Sequence, residues 1–202
     1  MAQTHQPRPV KLIAGLLAGQ AEWLDAAVAA LVERFGRTDV VSEDMAFDFT
    51  DYYEAQMGRD LLRRFVAFER LIDPGELAAV KCRTNELEAE LAGRFTEVPR
   101  PVNIDPGYVE LGKLVLASAK NFSHRVYLRD GIYAEVTLQY RRGKWMAGPM
   151  TFPDYAGGRY DAFLTAARQR LAEQYHPALA GRHLPQKGEE SRSAGQSDAP
   201  PL

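Results

Sequence analysis

Reactive side-chain types crowd one short stretch of the chain: Lys120, His124, Arg125, Tyr133 and Glu135. Lys120 and Arg125 are the types that hold a phosphate or carboxylate, Arg125 through a two-pronged guanidinium. Glu135 or His124 suits a general base, and Tyr133 a hydrogen-bond donor to a reacting group. Tyr127 in the same stretch and Asp105 ahead of it extend the ligand-binding set. Such groups act together only if strand pairing brings them to one face. The alternative is a solvated sheet face carrying a cross-strand ion pair.

The pairing can be argued from the pattern. Ile132, Ala134, Val136, Leu138 and Tyr140 alternate with Tyr133, Glu135, Thr137 and Gln139, as in a half-buried strand. A two-residue loop at Asp130-Gly131 would pair Val126 with Glu135 and mix polar with apolar groups on each face. A three-residue loop over Arg129-Asp130-Gly131 pairs Leu128 with Ile132 and Val126 with Ala134. It also sets Arg125 opposite Glu135 and Tyr127 opposite Tyr133. A one-residue slip flips every side chain, so the hydrophobic pattern selects the second register. At Arg142-Gly143 a two-residue loop puts Trp145 opposite Tyr140 and Ala147 opposite Leu138. The expectation is a three-stranded meander over Asn121 to Gly148, apolar on one face, with the reactive groups on the other.

Around the meander, Val10 to Leu17 reads as a buried strand and Ala21 to Phe35 as an amphipathic helix stopped by Gly36. Short and long strands follow at Asp39 to Ser42 and Leu61 to Ile72. In the latter, Leu61, Phe65 and Ala67 alternate with Arg64 and Val66. Asp73-Pro74-Gly75-Glu76 starts a helix that runs to Gly93, with a break near Cys82 allowed by Asn85 and Glu88. Arg100 to Asp105 reads as a strand ended by Asp105-Pro106-Gly107. Leu111 to Ala119 reads as a helix, and Tyr160 to Tyr175 as the last helix. The fold class is α+β: one antiparallel or mixed sheet with helices mainly on one face. The element order allows a ferredoxin-like βαββαβ core followed by the meander. Residues 10–176 form a single domain, between a disordered N-terminus at 1–9 and a disordered Pro-, Gly- and Ser-rich tail at 177–202.

Two other motifs have chemistry to weigh. Asp48, Asp51 and Glu54 fall three apart in an acidic, aromatic segment and could line one edge of a helical turn as oxygen ligands. They equally suit a helix start capped by Thr50 or Asp51, so no metal site is assigned. Gly107 to Leu114 has the glycine and lysine spacing of a phosphate loop. Leu114 stands where a magnesium-binding hydroxyl is needed, and Tyr108, Val109 and Glu110 make a poor cradle, which argues against it.

Composition narrows the classes. The 202 residues carry a formal charge of -2 and 46% hydrophobic residues, which suits one globular domain and offers no general attraction to nucleic acid. Arg141, Arg142 and Lys144 beside Tyr140 and Trp145 could meet RNA, against that charge balance. The single Cys82 excludes disulfides within the chain and multi-cysteine metal sites. No run is long enough to span a bilayer, and the Leu12 to Ala18 run is interrupted by Gly15 and leads into a helix, so a cytoplasmic location is expected.

The segments DFTDYYEAQMG (Asp48 to Gly58), LIDPGEL (Leu71 to Leu77), TNELE (Thr84 to Glu88), NIDPGY (Asn103 to Tyr108), KNFSHRVYL (Lys120 to Leu128), GIYAEVTLQYRRGKW (Gly131 to Trp145) and FPDY (Phe152 to Tyr155) carry a resemblance. In this order, over roughly Lys11 to Tyr175, the chain resembles the bacterial domain of unknown function 4416 family. The resemblance implies a small intracellular prokaryotic protein and supplies no activity, cofactor or catalytic assignment. The family often has a hydroxyl residue at the Gly112 position, a further mark against the phosphate loop. From the residues themselves, the expected function is binding of an anionic small molecule, phosphate- or carboxylate-bearing, a class that includes nucleotides, with or without catalysis. Glu135, His124 and Tyr133 would be the catalytic groups, and Lys120, Arg125, Asp105 and Tyr127 would bind ligand. The alternative is a protein–protein module anchored by Tyr52, Tyr53, Tyr127, Tyr133 and Tyr155.

Overall fold

The computed structural model describes residues 2–176, in which nine strands form one sheet with every pair antiparallel. The central strand β1 (Val10–Ala18) is buried along its whole length. The helix α1 (Ala21–Phe35) stops at Gly36, whose φ of 95° favours glycine. Next come β2 (Thr38–Val41), β3 (Met45–Ala46), a 3-10 turn over Asp51–Tyr53, α2 (Glu54–Met57) and β4 (Leu62–Ile72). Asp73 accepts the Gly75 N–H at the start of the next helix, α3 (Leu77–Arg94), which runs without a break past Cys82. The remaining elements are β5 (Val102–Val109), β6 (Lys113–Ser118), β7 (Val126–Arg129), β8 (Ile132–Arg141), β9 (Lys144–Ala147), α4 (Pro153–Ala156) and α5 (Asp161–Tyr175).

The order β2-β4-β1-β5, with α1 following β1 and α3 following β4, is the ferredoxin-like arrangement that the element order allows. The strands β6, β8 and β7 extend it beyond β5. Leu24, Ala27 and Leu31 of α1 and Val80, Leu87 and Leu91 of α3 pack on one face against Leu12, Leu16, Val66 and Ile104. On the other face, α5 places Phe163, Leu164 and Ala167 against Ile13, Phe65, Leu114 and Leu138. Two of the three long helices thus share one face, and the third covers part of the other. Among the described residues, no helix is long and apolar enough to cross a membrane. The tail expected at 177–202 lies outside the described residues, as does Met1. Residues 2–9 carry no helix or strand, and Arg8 sits over the Tyr175 ring.

Several expectations need correction. Leu111 to Ala119 is not helical: Lys113–Ser118 is β6, paired with β5 on one side and β8 on the other. A short apolar run fits either state, and here the two open strand edges decide it. The strand expected to stop at Asp105 continues through Pro106 and Gly107 to Val109, so the glycine-lysine motif is a β-hairpin and not a strand-to-helix loop. The meander is also rearranged. Since β6 occupies one edge of β8, both β7 and β9 pair along the opposite edge, at Ala134 and at Leu138 respectively.

A further correction concerns faces. Leu114 pairs with Leu138 but Val115 pairs with Val136, so Thr137 is an extra residue that bulges from the ladder. The bulge reverses the alternation. Ile132 and Ala134 pack on the α3 side, whereas Leu138 and Tyr140 pack on the α5 side. Glu135, opposite Leu116, therefore shares the α5-side face with Leu138. Val136 belongs to the α3 side and is about half exposed. The hairpin registers are as expected at Val126–Ala134, Tyr127–Tyr133, Tyr140–Trp145 and Leu138–Ala147. At the first tip, Arg129 pairs with Ile132 around a two-residue Asp130-Gly131 turn, with φ of 54° and 74°. A register shift between Tyr127 and Arg129 then restores the pairing of the longer loop.

Gly107 marks the closest approach between β5 and β6. A Cβ there would lie 2.4 Å from the Val115 carbonyl oxygen and 2.5 Å from a Leu116 methyl. Backbone cannot step aside as a side-chain end can. Gly107→Ala is expected to lower stability by about 1–3 kcal/mol, the usual cost of overpacking. Urea denaturation checks this, and an unchanged midpoint would contradict so tight an approach.

Candidate functional site

Pro106 opens the site. The Ile104 N–H faces away from β1 toward Glu88, and alternation gives Pro106 that same edge, facing β6. Proline has no N–H to donate, and β5–β6 pairing ends at Gly107. Below this fork the free edge of β5 is satisfied by α3 side chains. Glu88 Oε1 accepts the Ile104 N–H at 2.8 Å, and Lys81 Nζ donates to the Ile104 carbonyl at 2.7 Å.

On one arm of the fork stands the expected meander cluster. Arg125 Nε donates to Glu135 Oε2 at 2.7 Å, and His124 Nε2 lies 2.9 Å from the same oxygen. Thr137 donates to Glu135 Oε1 at 3.2 Å. Arg125 Nη1 donates to Ser118 Oγ at 2.8 Å and to the Lys120 carbonyl at 2.9 Å. The side chains of Arg125 and Glu135 are 7% and 3% exposed, so this is a buried ion pair and not a solvated one. Arg125 Nη2 has no protein partner among the described residues. The rings of Tyr127 and Tyr133 meet edge to face at 5.3 Å, beside the cluster. Lys120 Nζ donates to Tyr52 Oη at 2.8 Å, which ties the acidic segment to the meander. That hydrogen bond and the ammonium charge pull the Tyr52 phenol below its ordinary value.

The other arm holds Asp105, with partners that the sequence reading missed. Arg63, its side chain 4% exposed, lies between two carboxylates. Its Nη1 reaches Asp105 Oδ2 at 3.3 Å, and its Nη2 reaches Asp154 Oδ2 at 3.7 Å. Asn103 Nδ2 donates to Asp105 at 2.8 Å, and Arg100 links Asn103 to Glu88. Tyr160 donates to Asp154 at 3.3 Å. Gly15 makes room beneath: a Cβ there would lie 2.8 Å from the Phe65 ring and 3.2 Å from Arg63 Nη1. Asp105 makes no hydrogen bond to the meander cluster among the described residues. The two arms nevertheless share the α5-side face, and the turn after β9 joins them, with Phe152 beside Arg125 and Asp154 beside Arg63.

The two carboxyls around Arg63 are pushed in opposite directions. Burial works against charge on Asp105, but Lys81, Arg63 and the hydrogen bonds from Asn103 and Arg63 outweigh it and hold the carboxyl below 3.8. Asp154 is raised above 3.8, because burial there outweighs Arg63 and the donors around it. Burial also raises the Tyr155 phenol well above its ordinary value. Such splitting is typical of acid–base pairs. The signs follow by linkage. Asp105 contributes stability above its unfolded value that is lost as pH falls through its lower folded value. Asp154 contributes stability below its unfolded value that is lost as pH rises through its higher folded value. Asp105→Asn should therefore weaken the protein at pH 7 and leave little deficit at acid pH. Asp154→Asn should match or exceed wild type at pH 7 and lose that advantage in acid. Urea midpoints at both ends check the pair, and parallel shifts would contradict the split.

Asp48 pairs with Arg159 at 3.0 Å and Glu54 with Arg59 at 3.3 Å, so two of the three acidic residues are drawn to separate arginines. Among the described residues, no three His, Cys, Asp or Glu side chains are grouped to hold a metal ion. Thr50 caps the turn, accepting the Tyr52 N–H. A groove of about 450 Å³ runs along β8, lined by Tyr108, Val115, Val126, Val136 and Met150, and His124, Glu135 and Thr137 of the meander cluster also reach it. Its lining is mostly apolar, a poor match for an anion.

The family model described as a domain of unknown function, DUF4416, matches residues 8–171. The chain is a DUF4416 protein. That span takes in every group of the fork, from Arg63 to Tyr160. No curated protein and no solved structure matches it. The function of this DUF4416 chain therefore has to be argued from its own geometry.

Proposed function

We propose that this DUF4416 protein binds a small anionic molecule, phosphate- or carboxylate-bearing, at the fork between β5 and β6. One observation carries the reading: cations gather there on a chain whose formal charge is -2. Arg63, Lys81, Arg100 and Arg125 pair with the carboxylates Glu88, Asp105, Asp154 and Glu135, and Lys120, held by Tyr52, adds a charge with no carboxylate partner among the described residues. Lys120 and the free Nη2 of Arg125 are the outer contacts for the anion. Glu135 and His124 act as positioning residues for Arg125, because both carboxylate oxygens of Glu135 already accept hydrogen bonds. Asp105 and Asp154 supply the acid–base pair if the bound molecule is turned over. A bacterial cytoplasm, where a lone thiol stays reduced, suits the single cysteine.

A panel of phosphorylated and carboxylate metabolites, read by thermal shift, tests the proposal. At least one should raise the melting temperature of wild type and raise that of Lys120→Ala less. If no compound stabilises wild type, or if every shift is equal in the variant, the reading is wrong. The protein–protein alternative keeps one supporting observation: all four residues of β7 are exposed, Val126 and Tyr127 by more than half. Sizing at micromolar concentration that finds only monomer would count against self-association.

A further inference from the structure

Arg63 and Tyr155 present an unusual pair of atoms. Both Arg63 Nε and Tyr155 Oη are buried, and neither has a hydrogen-bond partner among the described residues. The first can only donate, and the second donates readily. Buried donors are almost always matched, so each one left over asks for an acceptor that the described residues do not supply. The two residues flank one ring: the Arg63 guanidinium lies 5.7 Å from the Phe65 centroid and the Tyr155 ring 6.0 Å from it. The other Arg63 nitrogens are already engaged, Nη1 by Asp105 and Nη2 by Asp154. Gly15 lets Phe65 and Arg63 pack directly on β1, where a Cβ would lie 2.8 Å and 3.2 Å from them. Of the two carboxylates on Arg63, Asp105 is the more exposed, its side chain at 31%.

We propose that Arg63 Nε and Tyr155 Oη form an inner seat for one oxygen of a carboxylate or phosphate group. The guanidinium supplies charge and direction, and the phenol supplies a second donor. Asp105 and Asp154 hold the other nitrogens of the guanidinium, and Asn103 in turn donates to Asp105. A ligand long enough to reach Lys120 would be held at both ends. This inference rests on the anionic-ligand reading for the class of ligand, and on its own atoms for the place.

Tyr155→Phe is the test, because it removes one donor and keeps the ring. Sodium acetate and sodium phosphate are titrated separately, in a buffer containing neither, against wild type, Tyr155→Phe and Lys120→Ala, with melting temperature as readout. One of the two anions should give wild type a saturable rise of about 5–10 °C at a hundredfold excess over Kd. Tyr155→Phe should lose that rise, and without anion should melt at or above wild type, having shed an unmatched hydroxyl. The seat is overturned if Tyr155→Phe keeps the full response. It is equally overturned if neither anion gives wild type a saturable rise, or if Tyr155→Phe melts several degrees lower in plain buffer, which would show that the hydroxyl has a partner. The Lys120→Ala arm separates the two proposals. Loss there with retention in Tyr155→Phe leaves the outer contact standing and removes the seat, and the reverse result leaves the seat and removes the outer contact.

Discussion

Glu135→Ala is expected to lower the stability of this DUF4416 protein by about 3–5 kcal/mol, the usual result of stripping one partner from a buried ion pair. Arg125 would remain 7% exposed, with its guanidinium held by Ser118 and the Lys120 carbonyl and its counter-charge gone. His124 would lose its only hydrogen bond as well. A double replacement, Arg125→Met with Glu135→Leu, should recover most of the loss, since an apolar pair of similar size leaves no uncompensated charge. Urea denaturation at pH 7 measures all three proteins. A loss below about 1 kcal/mol for Glu135→Ala would place the pair in the range of exposed salt bridges and remove its positioning role.

Arg63→Met is the second large effect, again about 3–5 kcal/mol at neutral pH. Asp105 and Asp154 would then face each other's charge with no cation between them. Both folded-state pKa values would rise. Stability referred to those groups would be recovered as pH falls through the raised values, so the gap to wild type should narrow from pH 7 toward acid. A gap that is constant with pH would mean that Arg63 stabilises by packing against Phe47 and Phe65, over whose rings it lies, and not by charge.

How far the sequence could be read depends on where backbone pattern and side-chain pattern agree. Cross-strand matching gave the second hairpin and the Val126–Ala134 and Tyr127–Tyr133 pairs of the first, but not its tip, where Arg129 and not Leu128 pairs with Ile132 around a two-residue turn. The bulge at Thr137 left no trace, because Ile132 to Tyr140 continues its apolar alternation on both sides of it. The resulting change of face was therefore illegible. Leu114 to Ala117 is too short an apolar run to distinguish strand from helix without knowing that β5 and β8 each had an edge to fill.

Arg63 was within reach. It shares parity with Leu61, Phe65 and Ala67, the residues that mark the inward side of β4, so an arginine there is a charge aimed at the core. Asp154 had no such signal. It lies in a turn that closes on Arg63 only through tertiary packing. Asp105 belongs to the candidate site, though its partners come from β4 and the neighbouring Asn103 and not from the meander.

The missing donor of Pro106 also leaves a seam. Gly107, Tyr108 and Val109 are laddered to Leu116, Val115 and Leu114, and the Glu110 N–H donates to the Lys113 carbonyl, so a short ladder joins the ferredoxin-like half of the sheet to the half built on β6 and β8. Amide protons along those three rungs should exchange with deuterium sooner than those at the middle of β1, which is laddered to β4 and β5 along most of its length. The two halves would then breathe about the line on which Asp105 and Ser118 stand, and a bound anion touching both would slow that exchange.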